Sequence, residues 1–397
     1  MANLEYSLAE LHTLLELGVR NSMSLNKNSE LYDVAVENKD YILDKGNPVY
    51  NKMYKNMKLS TVTKHINHNG ENLKKLWTTD DYEDLDFIID DGQIEDGNPT
   101  SYYKSYGKPK KLSPYSTRSN LNKYQPYFKP TGRISDFAVA HSTGIVGLKF
   151  PTRTSSSISL GYSDYYGDKD LNCVTVLIDI GKNASVSLNE HFFNKDGCKI
   201  YKIVYLVRDY ATLYLTRKLD NDAKDKGINI IESKVIQFPG SKFNYDVEGE
   251  GSKHNQDLMY IDVYSDCSTN VKGKFYLYDD FVNNSLVDVH HKGENSTSRV
   301  DVRSIVDDKS HSSFIGNITV DKEAIDTDAQ LVNKNLLLSS TATAITEPQL
   351  DINTKEITCS HGCTVSNVDK EQLYFLESRG IDTHTAEETL KQCFLTM

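Results

Sequence analysis

Tryptophan occurs once, cysteine six times and proline nine times in this chain of 397 residues. The cysteines, at 173, 198, 267, 359, 363 and 393, are too sparse for a disulfide framework and point to a reduced setting. No apolar run is long enough to cross a bilayer, so membrane insertion is not expected. The N-terminus (Met1-Ala-Asn-Leu-Glu-Tyr) lacks the basic and apolar regions of a signal peptide and is too acidic for a transit peptide. The expected location is therefore the cytoplasm, or an organelle stroma if a targeting segment lies outside this sequence. Positive charge is also short: 45 Lys+Arg face 56 Asp+Glu, a formal net charge of −11. A duplex-DNA binder needs a basic face to neutralise phosphates, so no nucleic-acid partner is expected. The Gly-x-x-x-x-Gly-Lys-Ser/Thr loop is missing too, and with it that device for holding ATP phosphates. What is present is aromatic: 25 Tyr and 13 Phe supply enough burial to exclude disorder of the whole chain.

Charge is unevenly placed. Residues 1–100 hold 10 basic and 18 acidic side chains, whereas 101–150 hold 9 and 1. Leu4, Leu8, Leu11 and Leu15 form one helical stripe, and Ser7 with Glu10 makes a capping box inside it. Residues 80–96 carry nine acids and no Lys or Arg, and the basic, Tyr/Pro/Ser-rich stretch 101–133 follows. Adjacent opposite blocks of this kind read as solvated linkers.

From about 136 the texture becomes short β runs. Val174, Val176, Ile178 and Ile180 alternate, as do Met259, Ile261 and Val263, each run bounded by Gly, Asn, Asp or Ser. No long amphipathic helices intervene, which disfavours a doubly wound α/β sheet. A mainly β sandwich, barrel or solenoid is expected, and the repeats are not strict enough to choose among them. The last thirty residues switch to helix: Asp369 caps Leu373 and Leu376 with a stop at Gly380, and Thr385 to Glu388 forms a second capping box ahead of Leu390 and Phe394.

Cys359, His361 and Cys363 stand at i, i+2 and i+4. On an extended strand they share one face, and two thiols with an imidazole suit iron, zinc or a nascent cluster. Each cysteine is also read as a small core residue, and Gly362 is a point where the face would be lost. Three ligands on one strand still need a fourth from a partner or solvent. One of His290 and His291 alternates inward and is read as packed or hydrogen-bonded, and Asp307, Asp308, Asp326 and Asp328 are read as turn residues.

Read as one block, 286–397 carries a series of short motifs. They include Leu286-Val-Asp-Val-His-His, Ser298-Arg299, Ser313-Phe-Ile-Gly-Asn-Ile-Thr-Val320, Glu347-Pro-Gln-Leu-Asp351, Cys359-Ser-His-Gly362 and Gln372-Leu-Tyr-Phe-Leu-Glu-Ser-Arg-Gly-Ile381. In order and spacing this resembles the SufB/SufD family of iron–sulfur cluster assembly proteins, closest to its SufD branch, over about 170–397. The resemblance implies a right-handed parallel β-helix with an N-terminal helical region and a C-terminal helical segment. It divides the chain into an N-terminal helical and linker region (1–135), a β-helix core (136–363) and an ATPase-docking helical segment (364–397). It implies a non-catalytic scaffold subunit of a SufBCD-type complex, pairing with a SufB-like subunit and docking a SufC-like ABC ATPase. Any iron or iron–sulfur cluster would be transient and shared with the partner, with none bound tightly. By position, His361 takes the family's interface role with Cys359 beside it, while Cys363 departs from the family's usual small residue. Asn333 stands near the position of a SufB cysteine, so the main cluster thiolate is lacking. Leu373, Leu376, Arg379, Gly380 and Phe394 are the implied partner contacts. The rivals are a homodimeric or SufB-substituting family member and, from another class, a carbohydrate-active or structural β-helix.

Overall fold

The computed structural model describes residues 86–90, 93–96, 110–112, 124, 127–128, 145–163, 171–192, 198–219, 228–250 and 254–396. The leucine stripe expected over 4–19 lies outside the described residues. In chain order the first strands are β1 (Phe87–Asp90), β2 (Gln93–Asp96), β3 (Lys110–Leu112), β4 (Ile145–Phe150), β5 (Ser155–Ser163), β6 (Leu171–Ile180) and β7 (Ser185–Phe192). Then come β8 (Cys198–Val207), β9 (Thr212–Lys218), β10 (Ile228–Gln237), β11 (Lys242–Glu250), β12 (His254–Val263) and β13 (Ser268–Leu277). The last are β14 (Val282–His291), β15 (Thr297–Val306), β16 (His311–Val320), β17 (Thr327–Leu337), β18 (Thr343–Ile352) and β19 (Ile357–Asn367). Helices α1 (Lys370–Ser378) and α2 (Thr383–Leu395) end the chain.

From β4 onward consecutive strands alternate between two sheets, each pairing in parallel with the strand one coil away. That is a parallel β-solenoid, and it selects among the three β architectures open on sequence. Strands β10, β12, β14, β16 and β18 start at 228, 254, 282, 311 and 343, so successive coils take 26, 28, 29 and 32 residues. Alternation gives each strand one face toward the interior, where Val, Ile, Leu, Phe and Tyr stack coil upon coil.

One corner repeats strictly in backbone and loosely in sequence. Asn183, Tyr210, Gly240 and Asp266 all have φ between 56° and 73°, and Arg153, Asn295 and Asp326 continue the column. Each N–H reaches the next coil: Asn183 to the Asp209 carbonyl (3.1 Å), Tyr210 to Pro239 (3.1 Å), Gly240 to Ser265 (3.0 Å) and Asp266 to Glu294 (3.0 Å). The residue that follows is small and buried: Ala184, Ala211, Ser241, Cys267, Ser296, Thr327. A larger side chain there would have no room between coils.

The interior is not wholly apolar. Fully buried Arg217 donates to Glu190 through Nε (3.1 Å) and Nη2 (2.9 Å), and to Asp257 through Nη1 (2.5 Å). Tyr162 and Tyr205 donate to Glu190 (2.8 and 2.5 Å), and Tyr245 donates to Asp257 (2.6 Å). Burial, then the Glu190 charge, pushes the Tyr162 and Tyr205 phenols well above their ordinary pKa, which keeps them as donors.

Two stretches read as solvated linkers contribute packed structure. The acidic run supplies β1 and β2, an antiparallel pair at the edge beside β5, with Phe87 and Ile89 buried in the interior. In the basic stretch, Tyr124, Tyr127 and Phe128 pack on the outer face of the other sheet against Leu177, Val204, Leu206 and Ile236. Tyr124 also donates to Asp179 (2.8 Å). Charge at the flanks hid apolar residues spaced to reach the sheet.

Candidate functional site

The two ends of the solenoid differ. At the N-terminal end the sheets finish, among the described residues, on the short strands β2 and β3, both antiparallel to their neighbours. At the C-terminal end they finish on β18 and β19, ten and eleven residues long, with no further coil over them among the described residues. Positions whose side chains fill the interior elsewhere are left open here, so Ile352 and Val365 are 39% and 45% exposed.

This open coil holds the residues singled out on sequence. β19 is unbroken from Ile357 to Asn367, so Gly362 does not turn the chain. Cys359, His361 and Cys363 lie opposite Ala329, Leu331 and Asn333 of β17, all three of which are buried in interior columns. The expected shared face is therefore present, and it is the inner face of the last coil. Cys359 and Cys363 are half-buried against the core and His361 is exposed. These cysteines thus pack on the core while keeping part of their surface exposed. Burial, with Asp328 adding to it, pushes the Cys359 thiol pKa up. A metal or a cationic neighbour would be needed to hold it as thiolate.

Sharing a face does not make one metal site. Cys359 and Cys363 are four residues apart on one strand, roughly 13 Å at about 3.3 Å per residue. A single ion takes His361 with one thiol, not both. Among the described residues no group of three or more His, Cys, Asp or Glu is placed to hold a metal ion. Asn333 offers no thiolate: its Nδ2 donates to the Val302 carbonyl (3.0 Å) and its Oδ1 accepts from Asn335 (2.7 Å).

The other candidates have local roles. His291 faces inward, hydrogen-bonded to Ser296 (2.7 Å) and Ser298 (2.9 Å), while His290 pairs with Asp321 on the outside (2.8 Å). Asp308 and Asp326 are left-handed turn residues, and Asp328 pairs with Arg299. Cys267 is the small residue of its corner.

The C-terminal hairpin begins as expected, with Asp369 accepting from the Glu371 N–H (2.9 Å). It turns through a Schellman motif: Gly380 (φ +87°) donates to the Glu377 carbonyl (2.9 Å) and Ile381 to Leu376 (3.3 Å). The second helix starts earlier than the capping box at Thr385 suggests. Asp382 is its N-cap, accepting from both the N–H (3.0 Å) and the hydroxyl (2.7 Å) of Thr385. A carboxylate one turn earlier outcompetes the threonine hydroxyl. Leu373 and Leu376 are half-buried, and the Arg379 guanidinium lies over the Phe375 ring at 5.1 Å. Phe394 sits at the solenoid end of α2, its carbonyl accepting from Arg303 (2.8 Å). Tyr374 (72%) and Phe375 (56%) form an exposed aromatic pair on the hairpin, which sequence reading passed over because they fall off the leucine stripe.

The profile of the family described as "SUF system FeS cluster assembly, SufBD core domain" matches residues 166–394, from just before β6 to the last turn of α2. The chain belongs to the SufBD core family. Its likeness to individual members is greatest on the SufD side. It is 42% identical over 105 residues to the iron–sulfur cluster assembly protein SufD of Escherichia coli, covering 26% of this chain and 25% of that protein. It is 38% identical over 90 residues to a SufBD family protein of Synechocystis, 23% and 20% of the two chains. It is 35% identical over 121 residues to the chloroplastic protein ABCI7 of Arabidopsis thaliana, 28% and 25%. These alignments span a quarter or less of each relative's length. Membership places the chain in the SUF system of iron–sulfur cluster assembly. Among the described residues no helix is long and apolar enough to cross a membrane.

Proposed function

We propose that this SufBD-family chain is a non-catalytic scaffold subunit that pairs through its open coil with a SufB-like subunit and docks a SufC-like ABC ATPase on its C-terminal hairpin. The observation that carries the reading is the uncovered last coil with Cys359, His361 and Cys363 on its inner face. An interior face without a covering coil, edged by two long strands, suits a partner with a matching end. The chain offers two neighbouring soft donors at most for one ion, so iron or a nascent cluster is cargo completed by donors from the partner. The exposed Tyr374–Phe375 pair supports the hairpin as the ATPase contact, since aromatic anchors dominate interfaces. The proposed location is the cytoplasm, with a stroma as the alternative that a chloroplastic relative keeps open. Co-expression with a SufB and a SufC, followed by purification through this chain, tests the reading. Retention of both supports it, and recovery of neither at micromolar concentration removes it. His361→Ala should lower cluster assembly in cells by at least about tenfold while leaving the fold intact, and unchanged assembly would sink the site.

A further inference from the structure

Helix α2 has no basic residue in its last turn, and the final carbonyls of a helix find no donor within it. Both deficits are met from the solenoid. Arg303, on the outer face of β15, donates through Nη1 to the carbonyls of Phe394 (2.8 Å), in the last turn of the helix, and of Thr396 (2.5 Å), its C-cap. Its other donors are occupied by Asp301, two residues earlier on the same face: Nε at 3.1 Å and Nη2 at 2.8 Å. The carboxylate thus holds the planar guanidinium so that the remaining nitrogen points at the helix end. The Arg303 side chain is only 14% exposed, so this pair is poorly screened by solvent.

Helix α1 buries no residue and α2 buries Ala386, and the hairpin meets the solenoid chiefly through α2 against β15. Lys391 adds a contact over the Tyr276 ring at 5.8 Å. We propose that Arg303 is the positioning residue of the C-terminal hairpin, setting the angle at which the Tyr374–Phe375 face is presented. The tether stands on its own geometry, and its consequence for partner binding rests on the docking reading given above.

Two full-length variants test it. Arg303→Met removes the charge and the donors, and Arg303→Lys keeps the charge without the fork. Hydrogen exchange on the chain without any partner follows hairpin peptides (370–396) and solenoid peptides (254–337) separately. Arg303→Met should speed exchange in the hairpin by about tenfold and leave the solenoid unchanged, with Arg303→Lys in between. Binding of a SufC ATPase should weaken in the same order. Unchanged hairpin exchange overturns the proposal. So does faster exchange spread through 254–337, which would make Arg303 a general stability residue. A wild-type chain that binds no ATPase would remove the docking reading, while hairpin exchange would still decide the role of Arg303.

Discussion

Arg217 carries a full charge in the middle of the solenoid, and its two carboxylate partners come from different coils. Removing one member of such a group leaves the others buried without compensation, a loss of about 3–5 kcal/mol. Arg217→Ala should lower the unfolding free energy by that order in urea titrations, and a loss under about 1 kcal/mol would mean that water enters the cluster. His291 makes a second prediction. Burial first, then the neighbouring His290, pulls its pKa from 6.5 to about 4 in the folded chain. The unfolded chain therefore takes up the proton first as pH falls. The stability that neutral His291 contributes is complete above about pH 6.5 and drains away toward pH 4, on the order of 3 kcal/mol in all. His291→Gln should flatten that part of the pH–stability curve, and a curve unchanged by the substitution would contradict the assignment. The inward turn of one of the two histidines was legible from alternation. The arginine was not, because Leu213 and Leu215 predict an apolar face and nothing local announces that Glu190 and Asp257 lie in neighbouring coils.

At the level of strands and corners, the repeat escaped the sequence for a physical reason. The corner is held by a backbone N–H reaching the next coil, and that bond is indifferent to the side chain. Arg153, Asn183, Tyr210, Gly240, Asp266, Asn295 and Asp326 all serve. Only the small buried residue after them is constrained, and Ala, Ser, Cys and Thr are too common to mark a period. Gly240 is restricted for a different reason than its φ of +73°, which Asn and Asp tolerate elsewhere in the column. A Cβ there would lie 2.5 Å from the Tyr210 ring. Gly240→Asn should cost about 1–3 kcal/mol, and Tyr210→Ala in the same chain should recover most of it. Additive losses in that double-mutant cycle would rule out the ring as the cause. The shared face on β19 and the first helix of the hairpin, by contrast, were legible, because alternation, the Asp369 cap and the Gly380 stop are local signals, whereas the strand runs on to Asn367 and the second helix starts from Asp382.

For the molecule as a whole, the capped end and the open end make different predictions. Val365 and Ile352 are exposed positions of the open coil, so a carboxylate at Val365 should cost less than about 0.5 kcal/mol in stability. Val365→Asp should nevertheless weaken the proposed pairing with a SufB-like subunit by about tenfold or more, as read by light scattering or titration calorimetry. Equal pairing by the variant would place the interface elsewhere. The distribution of charge marked both the N-terminal third and the last hundred residues as places for partners. It did not reveal that one end is closed and the other open, because the acidic run that supplies the closure reads as a solvated linker.

That closure limits growth. A strand stack with two long bare edges can add members indefinitely, as fibrils do. Among the described residues, Phe87 and Ile89 fill one end beneath short antiparallel strands, and the long bare edges lie at the other. On the pairing proposed above, two open ends would meet in a single contact, and growth along the axis would stop at a pair.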